Sequence, residues 1–169
     1  MKDTGFSVDP TKHARIAEPF AVDPDTKSPV VLRDVRTPPR FLCGGACMVS
    51  TATDYYRFLQ MLLNGGELEG VRILSRKSVE LMTADHLGSG ITRGDLSPGY
   101  GFGLGFAVRI TPGEASSLGS VGDYSWGGLY GTSFFVDPKE RLIGILMMQR
   151  PNYAKYSRQF RTGVYSALD

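Results

Sequence analysis

The chain has 169 residues, of which 41% are hydrophobic and 21% are charged, and its formal net charge is +2. This composition is typical of one globular domain with a core, and it excludes a disordered chain. A charge this small, with no basic run, gives no electrostatic basis for nucleic-acid or anionic-membrane binding. No apolar stretch reaches the roughly 20 residues that span a bilayer.

The first 40 residues are rich in Pro, Asp, Thr and Lys and show no clear periodicity. VDPTK (8–12) and VDPDTK (22–27) predict two turns, because Asp-Pro disfavours helix before the proline. TPPR (37–40) predicts another break. A ten-residue helix between Pro10 and Pro19 fits the pattern, but most of this lead-in is expected to be extended. The sequence start has no apolar signal segment, which slightly favours a cytoplasmic location.

Residues 48–66 predict the first clear helix. Ser50 or Thr51 can serve as the N-cap, and Asp54 in the first turn suits the positive end of the helix dipole. Gly65-Gly66 supplies the C-terminal stop. The apolar side chains at core-facing spacing are Tyr55, Phe58, Leu59 and Leu62.

Two further helices are predicted from caps and spacing. One begins after Ser75 and turns Val79 and Met82 inward. The other closes the chain, with Asn152 as a candidate cap. Its side chains at helical spacing are Tyr153, Tyr156, Phe160 and Val164.

The strand signals follow a glycine-rich loop predicted for residues 85–100. The stretch YGFGLGFAVRI (100–110) alternates with period two, which predicts one strand with Phe102, Leu104 and Phe106 on one side. Its glycines are expected to lie against a close neighbour. Residues 111–120 predict a polar turn.

Residues 129–150 predict a β-hairpin around Asp137-Pro138-Lys139-Glu140. Its second arm, residues 142–148, is apolar on both faces, which predicts a central strand covered on both sides. The whole pattern indicates the α+β class, an antiparallel β-sheet flanked by helices. We expect a single partial domain over residues 1–169, with an irregular, extended lead-in in 1–40 and the helices and antiparallel sheet in 41–169.

Motifs for nucleophilic catalysis are absent from this sequence. No serine has a lysine three positions later, and Gly-x-Ser-x-Gly does not occur. The two histidines, His13 and His86, have no evident sequence partners and are more typical of solvated residues than of bases. The carboxylates of Asp23 and Asp25 fall in a predicted turn, where acceptor side chains are common.

Cys43 and Cys47 are the only cysteines, in CGGAC. A zinc site needs about four ligands, and the two histidines are distant in sequence, so we expect no metal and no cofactor. Two reduced, partly buried thiols are the favoured interpretation. A disulfide across the short loop stays open as the alternative.

The stretch GDYSWGGLYGTSFFVDP (122–138) is the one feature that resembles a site. Glycines at a strand mark a bulge or a place where a ligand or backbone approaches closely. Backbone N–H groups there can point at a developing oxyanion, with the Trp126 indole as an apolar wall. On residue patterns alone the alternative is favoured, in which Trp126 fills core space and the glycines relieve crowding.

Five stretches, in order along the chain, carry a resemblance to a known family: MKDTGF, GGACMVSTATDYYRFLQMLLNGG, ILSRKSVELMTADHL, YGFGLGF and WGGLYGTSFFVDPKERLIGILMMQ. Together they resemble the C-terminal part of the serine β-lactamase and penicillin-binding-protein-like family, in particular its class C and esterase branch. The resemblance implies the C-terminal half of the β-lactamase/transpeptidase-like fold. Relatives carry Ser-x-x-Lys and Tyr-x-Asn in the preceding half, and neither motif occurs here.

The resemblance also implies site residues. The family's Lys-Thr-Gly or His-Thr-Gly element falls on Trp126-Gly127-Gly128, and the N–H of Leu129 is then one oxyanion donor. Tyr124 is expected beside them as a substrate-binding residue. Lysine and threonine hold the carboxylate of a β-lactam or D-alanyl peptide, which tryptophan and glycine cannot. An uncharged ester or acyl substrate is therefore expected.

Three functions stay open at this stage. The chain is half of a carboxylesterase-like serine hydrolase acting through an acyl-enzyme, or a truncated non-catalytic module that binds ligand or protein. In a full-length form it is alternatively a β-lactamase or D,D-peptidase. A product without selected function is a further reading. A complementary N-terminal half or self-association is the expected partner, because loss of that half exposes apolar surface and strand edge.

Overall fold

Three α-helices, seven β-strands and one short 3₁₀ helix make up the computed structural model, which describes residues 1–88, 91, 94, 96–151 and 154–169. The predicted cap Asn152 and the neighbouring Tyr153 lie outside the described residues, as does part of the predicted loop 85–100. The helices are the 3₁₀ helix (Pro10–Arg15), α1 (Ala52–Leu63), α2 (Arg76–Met82) and α3 (Ala154–Tyr165). The strands are β1 (Glu67–Leu68), β2 (Val71–Arg72), β3 (Tyr100–Phe102), β4 (Ala107–Arg109), β5 (Tyr124–Gly127), β6 (Ser133–Asp137) and β7 (Leu142–Leu146).

The main sheet has five strands in the order β3-β4-β5-β6-β7, and all of its pairs are antiparallel. Adjacent residues of β6 show which helix covers which face. The Phe134 ring meets Tyr55 of α1, whereas the Phe135 ring stacks on Tyr165 of α3. Since neighbouring strand residues point to opposite faces, α1 and α3 cover the two sides of the sheet. The α+β class is therefore confirmed.

Helix α1 forms as its sequence predicts. Thr51 is the N-cap, and its side chain accepts a hydrogen bond from the Asp54 N–H. Leu59 and Leu62 lie in the core, buried between the helix and the sheet. The Asp54 carboxylate does more than suit the helix dipole: it accepts hydrogen bonds from the Asp3 N–H and the Thr4 hydroxyl. These bonds fasten the N-terminal segment to the start of α1.

Helix α2 also follows its prediction. The Ser75 side chain accepts from the Ser78 N–H, and Val79 is buried. In the lead-in, a six-residue 3₁₀ helix replaces the ten-residue helix that the pattern allowed. The Asp9 carboxylate caps that short helix by accepting from the Thr11 N–H.

The predicted single strand over residues 100–110 is wrong, because the chain reverses within it. The strands β3 and β4 form a hairpin, with Phe102 paired to Ala107. Gly105, at φ +97, allows the reversal, since this conformation suits glycine. The close neighbour of the glycine face is present: a Cβ on Gly101 would overlap the Asp85 carboxylate, and one on Gly103 would overlap the Met82 carbonyl.

Strand β7 is apolar on both faces but is not central. It pairs with β6 and forms one edge of the sheet within the described chain. Helices α1 and α3 both contact it, one from each face. Strand β7 is therefore apolar on both faces because a helix covers each face, and not because it has a strand neighbour on each edge.

A buried charge cluster, Arg109–Asp123–Arg161, fixes the start of β5. The Asp123 carboxylate oxygen Oδ2 accepts from Arg109 Nε at 2.7 Å and from Arg161 Nη2 at 2.6 Å. Asp123 and Arg109 are almost fully buried. Arg161 also donates to the Leu118 carbonyl, so the cluster joins α3, β4 and β5. The bonds of this cluster are charge-assisted and therefore short and strong, and both guanidinium groups share Asp123 Oδ2, whereas Asp123 Oδ1 has no partner among the described residues.

Candidate functional site

The far end of β5 has an open edge. On one side, β4 pairs with β5 at Val108–Tyr124 and Ala107–Ser125 and goes no further. On the other side, pairing with β6 continues to Gly127–Ser133. Residues 126 and 127 therefore extend beyond the end of β4. An extended group of a ligand has access to this edge, because no described strand covers it.

A tight turn follows β5 and exposes one backbone donor. The Gly131 N–H donates to the Gly128 carbonyl at 3.0 Å, which closes a β-turn over residues 128–131. Leu129 occupies the second position of this turn. The backbone N–H of Leu129 takes no part in the hydrogen bond that closes the turn. Among the described residues nothing accepts from that N–H, and Leu129 is 77% exposed.

The turn is held from two other parts of the chain. The Tyr130 carbonyl accepts from the Arg150 N–H at 2.7 Å, just after β7. The Tyr130 hydroxyl accepts from the Arg33 N–H at 3.4 Å. The N–H of Leu129 thus belongs to a turn that is anchored on both sides.

The Trp126 indole lies at the surface, 47% exposed, and packs edge-to-face on the Phe102 ring with centroids 5.1 Å apart. Phe102 is held by its backbone: its N–H donates to the Asp85 carboxylate and its carbonyl accepts from the His86 N–H. Trp126 and Phe102 therefore form a supported aromatic pair. Sequence reasoning missed Phe102 as a site residue, although an aromatic residue between two tightly packed glycines was a usable signal.

The small size of Gly128 has a reason inside the chain. A Cβ on Gly128 would overlap the Thr132 hydroxyl, and the Gly128 N–H already donates to the Thr132 carbonyl at 2.7 Å. The group that lies close to Gly128 is therefore Thr132 of the same chain and not a ligand. The prediction that a ligand approaches the backbone closely then applies to Gly127, one residue earlier.

Tyr124, expected as a substrate-binding residue, lies in the core, whereas Trp126 and Leu129 are exposed. Its ring is 1% exposed and packs on Phe106 in the core. Burial raises the pKa of the Tyr124 hydroxyl well above its usual value. Tyr124 and Trp126 share a strand, but the buried core ends between them.

The cysteines and histidines singled out in the sequence are all bonded within the chain. Cys43 and Cys47 form a disulfide with Cα atoms 5.5 Å apart, so the expectation of two free thiols is wrong. The two intervening glycines leave the loop free to close to this distance. His13 and His86 each hold a backbone carbonyl, those of Val8 and Leu81, within hydrogen-bond distance.

Across the described ranges, no three residues of metal-ligating type cluster together. In the same part of the chain, none of the helices has the length and apolar character needed to cross a membrane.

Comparison with known proteins gives the site a context. The beta-lactamase family model matches residues 1–165. Protein Rv1367c of Mycobacterium tuberculosis is 38% identical over 162 residues, which are 88% of this chain and 40% of that protein. Esterase EstB of Burkholderia gladioli is 34% identical over 119 residues, 69% of this chain and 27% of EstB. The chain thus spans less than half the length of these relatives.

Solved structures show the same fold. EstCE1, described as a hydrolase with promiscuous acyltransferase activity, superposes with a TM-score of 0.74 at 27% identity, over 96% of this chain and 46% of EstCE1. The simvastatin synthase LovD from Aspergillus terreus superposes with a TM-score of 0.75 at 20% identity, over 97% of this chain and 46% of LovD. The second likeness shows the fold alone.

Proposed function

Because the chain belongs to the beta-lactamase family, we propose that it forms one side of the acyl-binding site of a serine hydrolase acting on uncharged esters. The observation that carries the proposal is the anchored turn at 128–131, which presents the free N–H of Leu129 beside Trp126. In this account, the Leu129 N–H donates to the oxyanion of the tetrahedral intermediate and Trp126 bounds the acyl group.

A preorganised backbone donor suits this role because it needs no reorganisation when charge develops on the carbonyl oxygen. Loss of one such donor typically lowers kcat by about 10²–10³. The Leu129 N–H meets the requirement through its position: the turn is closed by Gly131 and anchored by Arg150 and Arg33, while this N–H is left for a ligand.

The aromatic pair favours an uncharged substrate. Trp126 and Phe102 offer an apolar surface, and Trp126-Gly127 provides no side chain that could hold a carboxylate. The two arginines that anchor the turn have guanidinium groups engaged elsewhere. Arg150 is paired with Asp23 and Asp25, and Arg33 donates to the backbone carbonyls of Phe6 and Cys47. An ester therefore fits better than a β-lactam or a D-alanyl peptide.

The nucleophile is proposed to come from a segment outside this sequence, because Ser-x-x-Lys does not occur in it. Among the described residues no second strand pairs with β7, so its free edge is a surface that another segment or chain could extend. When the chain is prepared alone, we therefore expect self-association at micromolar concentration. A monodisperse monomer in light scattering would contradict that expectation.

A second candidate is a non-catalytic binding module that uses the same open edge of β5. The absence of Ser-x-x-Lys from the sequence favours this candidate. It predicts that the chain binds a ligand without any covalent step. Trp126 is the only tryptophan, so its fluorescence reports directly on this site. A short-chain phosphonate ester should shift this emission in both accounts, and an unresponsive emission would favour pure packing of the indole.

The test of the proposal is hydrolysis of p-nitrophenyl butyrate by the purified chain, with a serine-reactive phosphonate and intact-mass detection alongside. The proposal predicts no turnover and no adduct for the chain alone, with the Trp126 emission shifted by the phosphonate. Turnover with a single covalent adduct would mean that a serine of this chain is activated. Nitrocefin in the same assay separates the β-lactamase alternative.

A further inference from the structure

The Cys43–Cys47 disulfide joins one anchored and one unanchored piece of chain. On the anchored side, the Cys47 carbonyl accepts from Arg33 Nη1 at 3.0 Å. Two residues later, Val49 forms a two-way backbone bridge with Gly5, at 3.1 and 2.8 Å. Cys47 is therefore fixed to the body of the protein without the disulfide.

The other side of the disulfide has no such support. In the described structure no hydrogen bond or ion pair involves residues 38–42. Phe41 and Leu42 are 76% and 62% exposed, so little apolar burial holds them. Segment 38–42 is therefore held at one end by Thr37, whose carbonyl accepts from Arg33, and at the other by the disulfide.

Arg33 links this loop to the candidate site. Its guanidinium donates to carbonyls on both sides of the loop, those of Thr37 and Cys47. Its backbone N–H donates to the Tyr130 hydroxyl in the turn that presents Leu129. Arg33 therefore connects the loop to the turn 128–131 by hydrogen bonds, so a displacement of the loop can be passed on to the turn.

We propose that Cys43–Cys47 is a reversible disulfide that clasps segment 38–42, and that its reduction loosens the turn 128–131 through Arg33. The reaction is thiol–disulfide exchange with a small-molecule thiol such as glutathione. Two glutathione thiols supply two electrons and two protons, the Cys43–Cys47 bond breaks through a mixed disulfide, and the products are two cysteine thiols and glutathione disulfide.

Two properties make the disulfide suited to exchange. Both cysteines are only half-buried, so a thiolate has access to sulfur. The closed loop is short, with a sequence separation of 4, so its loss removes little constraint from the unfolded chain. Reduction is therefore expected to release a local segment without unfolding the protein.

The first experiment uses the intact chain equilibrated in glutathione buffers from fully reduced to fully oxidised. Thiol alkylation and mass measurement give the fraction reduced, and limited trypsin digestion reports on the exposed Arg40–Phe41 bond. Cleavage there should be at least about fivefold faster in the reduced form, because local opening governs proteolysis. Cleavage after Lys139, in the β6–β7 turn, is the internal control and should not change.

The variant Cys43→Ser/Cys47→Ser should be cleaved at the fast rate in every buffer. The proposal is overturned if the disulfide does not respond to any glutathione ratio. Equal cleavage of the Arg40–Phe41 bond in both forms would overturn it as well.

The second experiment tests the link to the site by hydrogen exchange of the Gly131 N–H, which closes the turn. Exchange should be faster in the reduced protein, and Arg33→Met should raise the oxidised rate toward the reduced one. Arg36→Met is the matched control, since Arg36 pairs with Glu18 and Asp34. Unchanged Gly131 exchange on reduction would refute the coupling. Neither readout uses ester hydrolysis, so both stand apart from the proposed function.

Discussion

The two ends of β5 differ sharply in burial and in hydrogen bonding. At its start, Asp123 is fully buried and bonded to Arg109 and Arg161. At its end, Trp126 is 47% exposed and Leu129 is 77% exposed, with an N–H that has no partner in the described structure. Six positions along the chain separate a buried charge cluster from an accessible edge.

The difference indicates separate roles for the two ends of β5: the start holds the strand in place, and the end is available to a ligand. The charge cluster fixes β5 against α3 and β4, and each of its groups would be costly to leave unpaired. This fixed start allows the other end to keep polar backbone groups and an indole at the surface. A site that must meet a ligand in a defined position needs such rigid support behind it.

Asp123→Asn should give the largest effect, because it removes the charge shared by two buried guanidinium groups. Breaking a buried ion pair by removing one partner costs about 3–5 kcal/mol of unfolding free energy. Urea denaturation measures the loss. Glu69→Gln is the matched control, since Glu69 pairs with Arg57 at the surface, where a pair contributes about 0–1 kcal/mol. Equal losses in the two variants would erase the distinction between the two ends of β5.

Gly128→Ala tests whether the chain is also tightly packed at the turn that follows β5. The added methyl would overlap the Thr132 hydroxyl, and such overpacking costs about 1–3 kcal/mol. Gly113→Ala, in open space, should change stability by less than about 0.5 kcal/mol. Adding Thr132→Ala to Gly128→Ala should recover most of the loss. No recovery in the double variant would show that another contact makes glycine necessary here.

The aromatic pair should contribute less again. A double-mutant cycle with Phe102→Ala and Trp126→Ala should give a coupling energy of about 0.5–1.5 kcal/mol, the range for edge-to-face rings. Iodide quenching of Trp126 should increase in Phe102→Ala, because the indole loses its support. A coupling near zero would mean that Phe102 does not position Trp126.

The smallest effect is expected at low pH. Hydrogen bonds from Arg15 and Lys12 lower the pKa of Asp3 from its usual 3.8 to about 2. A carboxylate with a lowered folded pKa stabilises the protein above pH 3.8 and loses that contribution as pH falls toward 2. Asp3→Asn should therefore be less stable than the parent near pH 6, and the two curves should meet below pH 2. Parallel denaturation midpoints over that range would exclude a role for Asp3.

Local signals predicted much of the fold. The caps Thr51 and Ser75, and the Asp137 turn between β6 and β7, act over a few residues and appear in the structure as expected. The β3–β4 reversal was missed because alternation continues through Gly105, and its positive φ leaves no mark in a period-two pattern.

Contacts distant in sequence were beyond reach. Asp123 meets Arg161 across 38 residues, and nothing in either neighbourhood indicates the partner. Glycines and a tryptophan pointed to the candidate site, but a residue pattern does not show that the core extends to Tyr124. Phe102 meets Trp126 only after the β3–β4 hairpin folds, because β4 separates β3 from β5 and the two rings meet where β4 begins.

The measurement that tests the central claim most directly is ester hydrolysis by a chimera in which this chain replaces the matching segment of esterase EstB. Leu129→Pro deletes the N–H at a turn position that tolerates proline, and Leu129→Ala keeps it. With both variants folded by circular dichroism, kcat on p-nitrophenyl butyrate should fall by about 10²–10³ in Leu129→Pro and hardly change in Leu129→Ala. Equal activity in the two variants would show that the Leu129 N–H does not stabilise the oxyanion.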